Sequence, residues 1–277
     1  MRDGMAYAAE ERVRAGGGSS VSWESVRLTT HFQPIYGTRK GSCLGFEALA
    51  RVANGPEGNL DIQEFFAKVD EDNRSLLDWT CRALHLRNFA TVDPGDRTLF
   101  MNVHPEAAVK DAARGRDLGE MIGYYGLVPE RVCIEILQAE CSDEGLLRDA
   151  AETYRDLGAQ LAMDDFGLER SDFDRLARLR PDIVKVDLAA HARLSGPAQA
   201  LGKLPAMIEL LHEAGAKVVV EGIESRTEAL LAVGARADYL QGFFLAQPDA
   251  KLAPEIQGAS ILNALLHPAT RPRLALA

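Results

Sequence analysis

Eight short apolar runs punctuate the chain, and every gap between consecutive runs but one is long enough to hold a helix. The runs cover residues 30–36, 43–50, 98–103, 131–136, 160–165, 182–187, 217–222 and 238–244, and several are rich in Val and Ile, as buried strands are. The stretches between them, such as SLLDWTCRALHLRNF (75–89) and GLLRDAAETYRDLGAQ (145–160), carry helical patterns, and Gly215 and Gly234 lie where C-cap glycines would end two later helices. Strands alternating with helices imply parallel pairing, and eight of them imply an α/β fold of the TIM-like (β/α)8 barrel type. The exception is the link between the first two runs, about six residues at 37–42. A parallel crossover needs about a dozen residues or more, so the first strand is expected antiparallel to the rest.

No second linker or repeat interrupts residues 25–266, which read as one domain. Residues 1–24, with Gly16, Gly17 and Gly18 running into Ser19 and Ser20, read as a flexible tail or linker. Residues 267–277, with Pro268 and Pro272, read as a second tail.

Composition narrows the partners. The 41 acidic side chains exceed the 31 basic ones, a net charge of -10, which argues against a broad basic face for duplex nucleic acid. A phosphate ligand would need bound cations or a local basic group. No apolar run approaches the ~20 residues of a membrane span, and the polar start MRDGMAYAAEERVR lacks the apolar stretch of a signal peptide. Cys43, Cys81, Cys133 and Cys141 form no CxxC pair and no HExxH occurs, so the cysteines read as small buried hydrophobes in a reducing, cytoplasmic setting.

Polar residues sit inside or at the ends of the apolar runs: Glu47, Asn102, Glu135, Asp164, Asp165, Lys185, Glu221 and Gln241. Taken singly, each has an ordinary explanation. Glu47 fits an exposed edge; Asn102, Asp164, Asp165 and Glu221 fit caps; Glu135 fits a buried ion pair; Lys185 fits a snorkelling lysine; Gln241 fits a satisfied turn. Taken together they belong to one place, because active sites of such barrels lie at the C-terminal ends of the strands. Five carboxylates and an amide on one mouth call for cations, and an all-oxygen set suits Mg²⁺ or Mn²⁺. Two such ions about 4 Å apart can activate water and stabilise a leaving oxygen, which points to phosphoester hydrolysis.

At these residues the chain resembles the EAL-domain family, bacterial cyclic di-GMP phosphodiesterases. Glu47-Ala48-Leu49 is the family's tripeptide, followed by Arg51 at the EALxR spacing, with Gln33-Pro34-Ile35 upstream matching QPI. Asn102, Glu135, Asp164-Asp165-Phe166-Gly167, Lys185-Val186-Asp187, Glu221-Gly222-Ile223-Glu224 and Gln241-Gly242-Phe243 follow in family order. The resemblance implies hydrolysis of cyclic di-GMP to linear pGpG with two ions. Glu47, Asn102, Glu135 and Asp164 would hold one, and Asp164, Asp165 and Glu221 the other. Lys185 would hold or polarise the attacking water, Gln241 would support the water or substrate, Arg51 would grip a phosphate, and Gln33 and Leu49 would line the dinucleotide site. A homodimer is also implied.

Two positions depart from the family pattern. Gln138 stands where the family has a second glutamate, and after Gly167 the chain reads Leu168-Glu169-Arg170 in place of the usual TGY. This loop adjoins the metal-binding aspartates and the dimer contact of family members, so Gln138 and residues 167–170 are read as a segment that modulates activity. The alternative is a cyclic di-GMP receptor or scaffold with little turnover. A barrel enzyme acting on another phosphoester fits the EALxR and QPI motifs less well.

Overall fold

The structure, a computed structural model, describes residues 4–16, 19–55, 58–93, 95–112, 115–137, 141, 143–167, 170–252 and 254–267. Its centre is an eight-stranded barrel: β2 (Val26–Gly37), β3 (Cys43–Ala53), β5 (Thr98–Val103), β6 (Val132–Ile136), β7 (Gln160–Met163), β8 (Ile183–Asp187), β9 (Lys217–Glu221) and β10 (Tyr239–Leu240). Neighbours pair in the order β2-β10-β9-β8-β7-β6-β5-β3, and a β2–β3 pairing closes the ring. All eight expected strands are present. β2 is antiparallel to both β3 and β10, whereas the remaining pairs are parallel.

Two short strands extend the sheet. β1 (Ser20–Trp23) lies antiparallel to the start of β2, and β4 (Asn59–Leu60) to the end of β3. The helices that wrap the barrel include α1 (Gly4–Gly16), α2 (Ile62–Lys68), α3 (Glu71–Val92), α4 (Pro105–Ala112), α5 (Gly115–Tyr124), α6 (Glu144–Asp156), α7 (Arg170–Leu179), α8 (Leu188–Ser195) and α9 (Pro197–Glu213). α6 shows why they form: Leu147, Ala150, Ala151 and Tyr154 are buried at helical spacing, and the Asp143 side chain caps the first turn through the amides of Gly145 and Leu146. None of the described helices is long and apolar enough to cross a membrane.

Part of the expected N-terminal tail is ordered structure. α1 buries Ala9 and Val13, four residues apart, and packs on α3, while β1 buries Val21 and Trp23. Arg87 of α3 donates to the Val13 carbonyl, and the Arg12 guanidinium lies 4.7 Å from the Trp23 ring centre. The glycine run signals a break, but the short apolar pair before it gains its partner only when α3 is in place. Residues 268–277 of the expected C-terminal tail lie outside the described residues.

The barrel interior is layered. Ile35, Phe100, Cys133, Ala162, Ile183 and Val219 form an apolar floor, with Leu44 and Tyr239 against it. The alternate residues of the same strands, such as Leu99, Met101, Ile134, Val184 and Val218, point outward into the cores under the helices. No disulfide joins the four cysteines; Cys81 and Cys133 are buried as expected, whereas Cys43 and Cys141 are only partly buried.

Candidate active site

Two residues along each strand from the floor, towards the mouth, the interior turns polar. Phe100 leads to Asn102, Cys133 to Glu135, Ala162 to Asp164, Ile183 to Lys185, Val219 to Glu221 and Tyr239 to Gln241. β2 runs the other way, so its step from Ile35 leads back to Gln33, which pairs in register with Glu47 of β3. The period of two is what gathers these residues into one layer.

Lys185 is the hub. Its ammonium lies 3.1 Å from a carboxylate oxygen of Glu47, Glu135 and Glu221, and 3.2 Å from Asp164. Burial alone would lower the Lys185 pKa; the charges of Asp164, Glu135, Glu221 and Glu47 outweigh it and hold the amine well above its ordinary value. Glu47 is further held by Asn102 Nδ2, 2.8 Å from Oε1, and by Gln241 Nε2, 2.8 Å from Oε2. Gln241 also donates to Gln33 Oε1 at 3.2 Å, and Gln33 donates to the Ala246 carbonyl at 3.3 Å. Burial pushes the Glu47 carboxyl up, but Lys185, Asn102 and Gln241 together bring it below its ordinary value.

The other carboxylates are less well compensated. Burial drives Glu135 and Glu221 well above the usual range and raises Asp164, with Lys185 opposing in each case. Asp165 is exposed at the mouth, and its carboxyl is pushed up to about 6 by partial desolvation first and then by the charge of Asp164. Both Glu135 oxygens, Asp164 Oδ1, Asn102 Oδ1 and Gln241 Oε1 are buried and accept no hydrogen bond from the described residues. One ammonium facing four carboxylates, with Asp165 beside them and spare oxygen lone pairs, leaves a donor set that fits hard divalent cations. Asp164, Asp165 and Glu221 each offer an oxygen, all within 4.8 Å of one another. Asn102 is oriented for the same use, since its amide nitrogen is committed to Glu47 and its oxygen is free to ligate.

The backbone around these residues is specialised. Asp165 adopts a left-handed conformation, φ 51°, which costs a non-glycine residue on the order of 1–2 kcal/mol. Gly222, next to Glu221, has φ 69°, and a Cβ there would stand 2.9 Å from Asp187 Oδ1 and 3.1 Å from the Ala189 amide. Asp187 in turn caps α8 through the Ala190 amide at 2.9 Å.

Above Glu47, the inward face of β3 continues through Leu49 and Arg51, both partly buried near the mouth. Arg51 donates to its neighbour's carbonyl, Ala50, at 3.1 Å. His31, opposite Leu49 in register, is a mouth residue that the motifs do not single out. Burial lowers its pKa, Arg51 adds to the drop, and Asp249 opposes it. Counting back two from Gln33 would have found it. Gln138, Leu168 and Glu169 lie outside the described residues; Gly167 is partly buried after the DDFG turn, and Arg170 opens α7.

The family model for the EAL domain matches residues 20–248. The chain belongs to the EAL-domain family. Among its relatives, the EAL-domain containing protein YkuI of Bacillus subtilis is 28% identical over 225 residues, which is 79% of this chain and 54% of YkuI. The cyclic di-GMP phosphodiesterase RocR of Pseudomonas aeruginosa is 26% identical over 229 residues, 79% of this chain and 56% of RocR. The chain thus spans about half the length of these curated relatives. Among solved structures, a standalone EAL protein of Vibrio cholerae bound to cyclic di-GMP superposes with a TM-score of 0.71 at 28% identity, covering 81% of this chain and 93% of that one. Klebsiella pneumoniae BlrP1 in a calcium and cyclic di-GMP complex gives a TM-score of 0.71 at 25% identity, covering 80% and 56%. The EAL tripeptide of this chain is Glu47-Ala48-Leu49, at the centre of the polar layer.

Proposed function

We propose that this EAL domain is a cyclic di-GMP phosphodiesterase that opens its substrate to linear pGpG with two Mg²⁺ or Mn²⁺ ions. The observation that carries the reading is the gathering of Glu47, Glu135, Asp164 and Glu221 around one buried ammonium, Lys185, with Asp165 beside them. Relatives named as cyclic di-GMP phosphodiesterases, and structural neighbours holding cyclic di-GMP with calcium or manganese, support it. Glu47, Asn102, Glu135 and Asp164 would hold one ion, and Asp164, Asp165 and Glu221 the second. Bound there, the ions would supply water activation and charge stabilisation at the phosphorus.

The side chains do the rest. Lys185 presents an N–H donor to orient the attacking water, and Glu47, Asp165 and Glu221 are the carboxylates placed to accept its proton. A new bond forms between the water oxygen and phosphorus as the P–O3′ bond breaks; one water proton ends on the leaving O3′ and a 5′-phosphate remains. Gln241 keeps Glu47 oriented and faces the same space. Arg51 has the forked guanidinium that suits a phosphate at the mouth, and Gln33 and Leu49 line the dinucleotide site. In an acidic chain, Arg51 would offset the repulsion of a dianionic substrate at the mouth, and bound ions would do so within the polar layer. A homodimer, with residues 167–170 and Gln138 near its contact, belongs to the same reading.

A second reading is favoured by one feature, the departure from the family pattern at Gln138 and Leu168-Glu169-Arg170. It makes the domain a cyclic di-GMP receptor with little turnover. Incubation with cyclic di-GMP and Mn²⁺ or Mg²⁺, with products resolved by chromatography, separates the two. Metal-dependent pGpG that disappears in Glu47→Ala and in chelator supports the enzyme. Tight binding by calorimetry with no product supports the receptor, and neither result would remove both.

A further inference from the structure

Asp165 is a single left-handed residue between two pinned peptides. Before it, the Asp164 amide donates to the Ile136 carbonyl of β6 at 3.1 Å. After it, the Phe166 amide donates to the Lys185 carbonyl of β8 at 3.0 Å. The Phe166 carbonyl is held as well, by His191 Nε2 at 3.0 Å. A carbonyl has no proton to give, so the imidazole is the donor and carries its hydrogen on Nε2. The Phe166 ring is fully buried and packs edge-on against Phe173, with ring centres 5.5 Å apart, so the peptide cannot swing without unpacking it.

Two of these pins join backbone to backbone and persist whatever the side chains are. The third belongs to a side chain. His191 sits on α8, the helix capped by Asp187, and α8 follows directly from the strand that carries Lys185. One strand–helix unit therefore supplies both the ammonium of the site and the grip on the turn that aims Asp165.

We infer that His191 is a positioning residue: its hydrogen bond to the Phe166 carbonyl keeps Asp165 in the left-handed conformation that brings its carboxylate to those of Asp164 and Glu221. The inference rests on the reading of these three carboxylates as a cation site, and it predicts that His191 sets the affinity of that site without touching the ion. Partners of this kind typically contribute about 10- to 100-fold in metal affinity.

The test is a titration of the full chain with Mn²⁺ alone, followed by electron paramagnetic resonance and calorimetry, with circular dichroism melting in chelator alongside. Expected are Mn²⁺ affinity lowered by about tenfold or more in His191→Leu, little change of melting temperature in chelator, and recovery of most of the affinity in His191→Gln, whose amide can donate. In an Asp165→Asn background, His191→Leu should cause no further loss. Should His191→Leu not fold, His191→Met makes the same comparison. Unchanged affinity in the apolar variants, absence of rescue by Gln, or an equal loss in the Asp165→Asn background would overturn the inference while leaving the cation site standing. An unsubstituted chain that binds no Mn²⁺ would overturn the cation reading and this inference with it.

Discussion

Glu135 and Lys185 face each other at 3.1 Å, and neither is more than 1% exposed. Glu135 reaches no other cation among the described residues, yet both its oxygens are buried without a hydrogen bond, so its ionised form depends on Lys185 and on any divalent cation bound nearby. That dependence makes the Lys185 amine structural as well as chemical.

Lys185→Met keeps most of the volume and removes the charge. Taking one partner from a buried ion pair costs about 3–5 kcal/mol, and urea unfolding in chelator should read a loss of that order. Mn²⁺ should restore stability more in this variant than in the unsubstituted chain, because the carboxylates lose the Lys185 ammonium and gain most from a cation. Turnover of cyclic di-GMP should fall at least about 100-fold, a barrier increase of about 2.7 kcal/mol. Equal stability of the two chains in chelator would show that the amine is not needed to hold the cluster together.

His85, on α3 and 5% exposed, has its pKa pushed down to about 3 by burial. Asn88 donates to Thr30 Oγ1 at 3.2 Å, and the same oxygen lies 2.7 Å from His85 Nδ1, so the ring is hydrogen-bonded inside the fold and shielded from water. The unfolded ring titrates near 6.5 and the folded one near 3, so below pH 6.5 the unfolded state binds the extra proton. Stability should therefore be full above about pH 6.5 and fall by up to about 1.4 kcal/mol per pH unit towards pH 3. The raised carboxylates of the site act in the opposite sense. The measurement is accordingly the difference between the unsubstituted chain and His85→Gln, by urea unfolding from pH 7 to 4. The variant should lose less stability on acidification; parallel curves would exclude His85 as the source.

Gly222→Ala places a methyl against Asp187 and the Ala189 amide at a positive φ, next to Glu221. A stability loss of about 1–3 kcal/mol is expected, with weaker Mn²⁺ binding because Glu221 shifts with its neighbour. Gly234→Ala, where a Cβ meets nothing within 4 Å, is the control and should be neutral or slightly stabilising in thermal melting.

Val13→Asp puts an unpaired charge into the fully buried contact between α1 and α3. Amide hydrogen exchange should show α1 losing protection while β5 to β9 keep theirs, since α1 packs on the outside of a barrel closed by the β2–β3 pairing. Loss of protection throughout the barrel would mean that α1 is integral to its cooperative unit.

Much of this molecule follows from local pattern. The alternation of apolar runs with helical stretches determined the barrel, and the six residues at 37–42 determined that β2 runs against its neighbours, because a chain that short cannot make a parallel crossover. The polar positions within the runs determined which side chains form the site, since a period of two leaves them no face but the interior or the helix-covered exterior. What the sequence could not decide is who meets whom across the ring. Lys185 touches carboxylates from four other positions on the barrel, and that convergence depends on stagger and closure, which are properties of the assembled sheet. α1 reads as a tail in the sequence because two buried residues are too weak a signal until α3 supplies the surface they cover. His191 carries no motif; its hydrogen bond to Phe166 exists only because α8 folds back over the turn that ends β7. Local periodicity is written in neighbouring residues, whereas these contacts join segments tens of residues apart, and only the closed barrel brings them within reach.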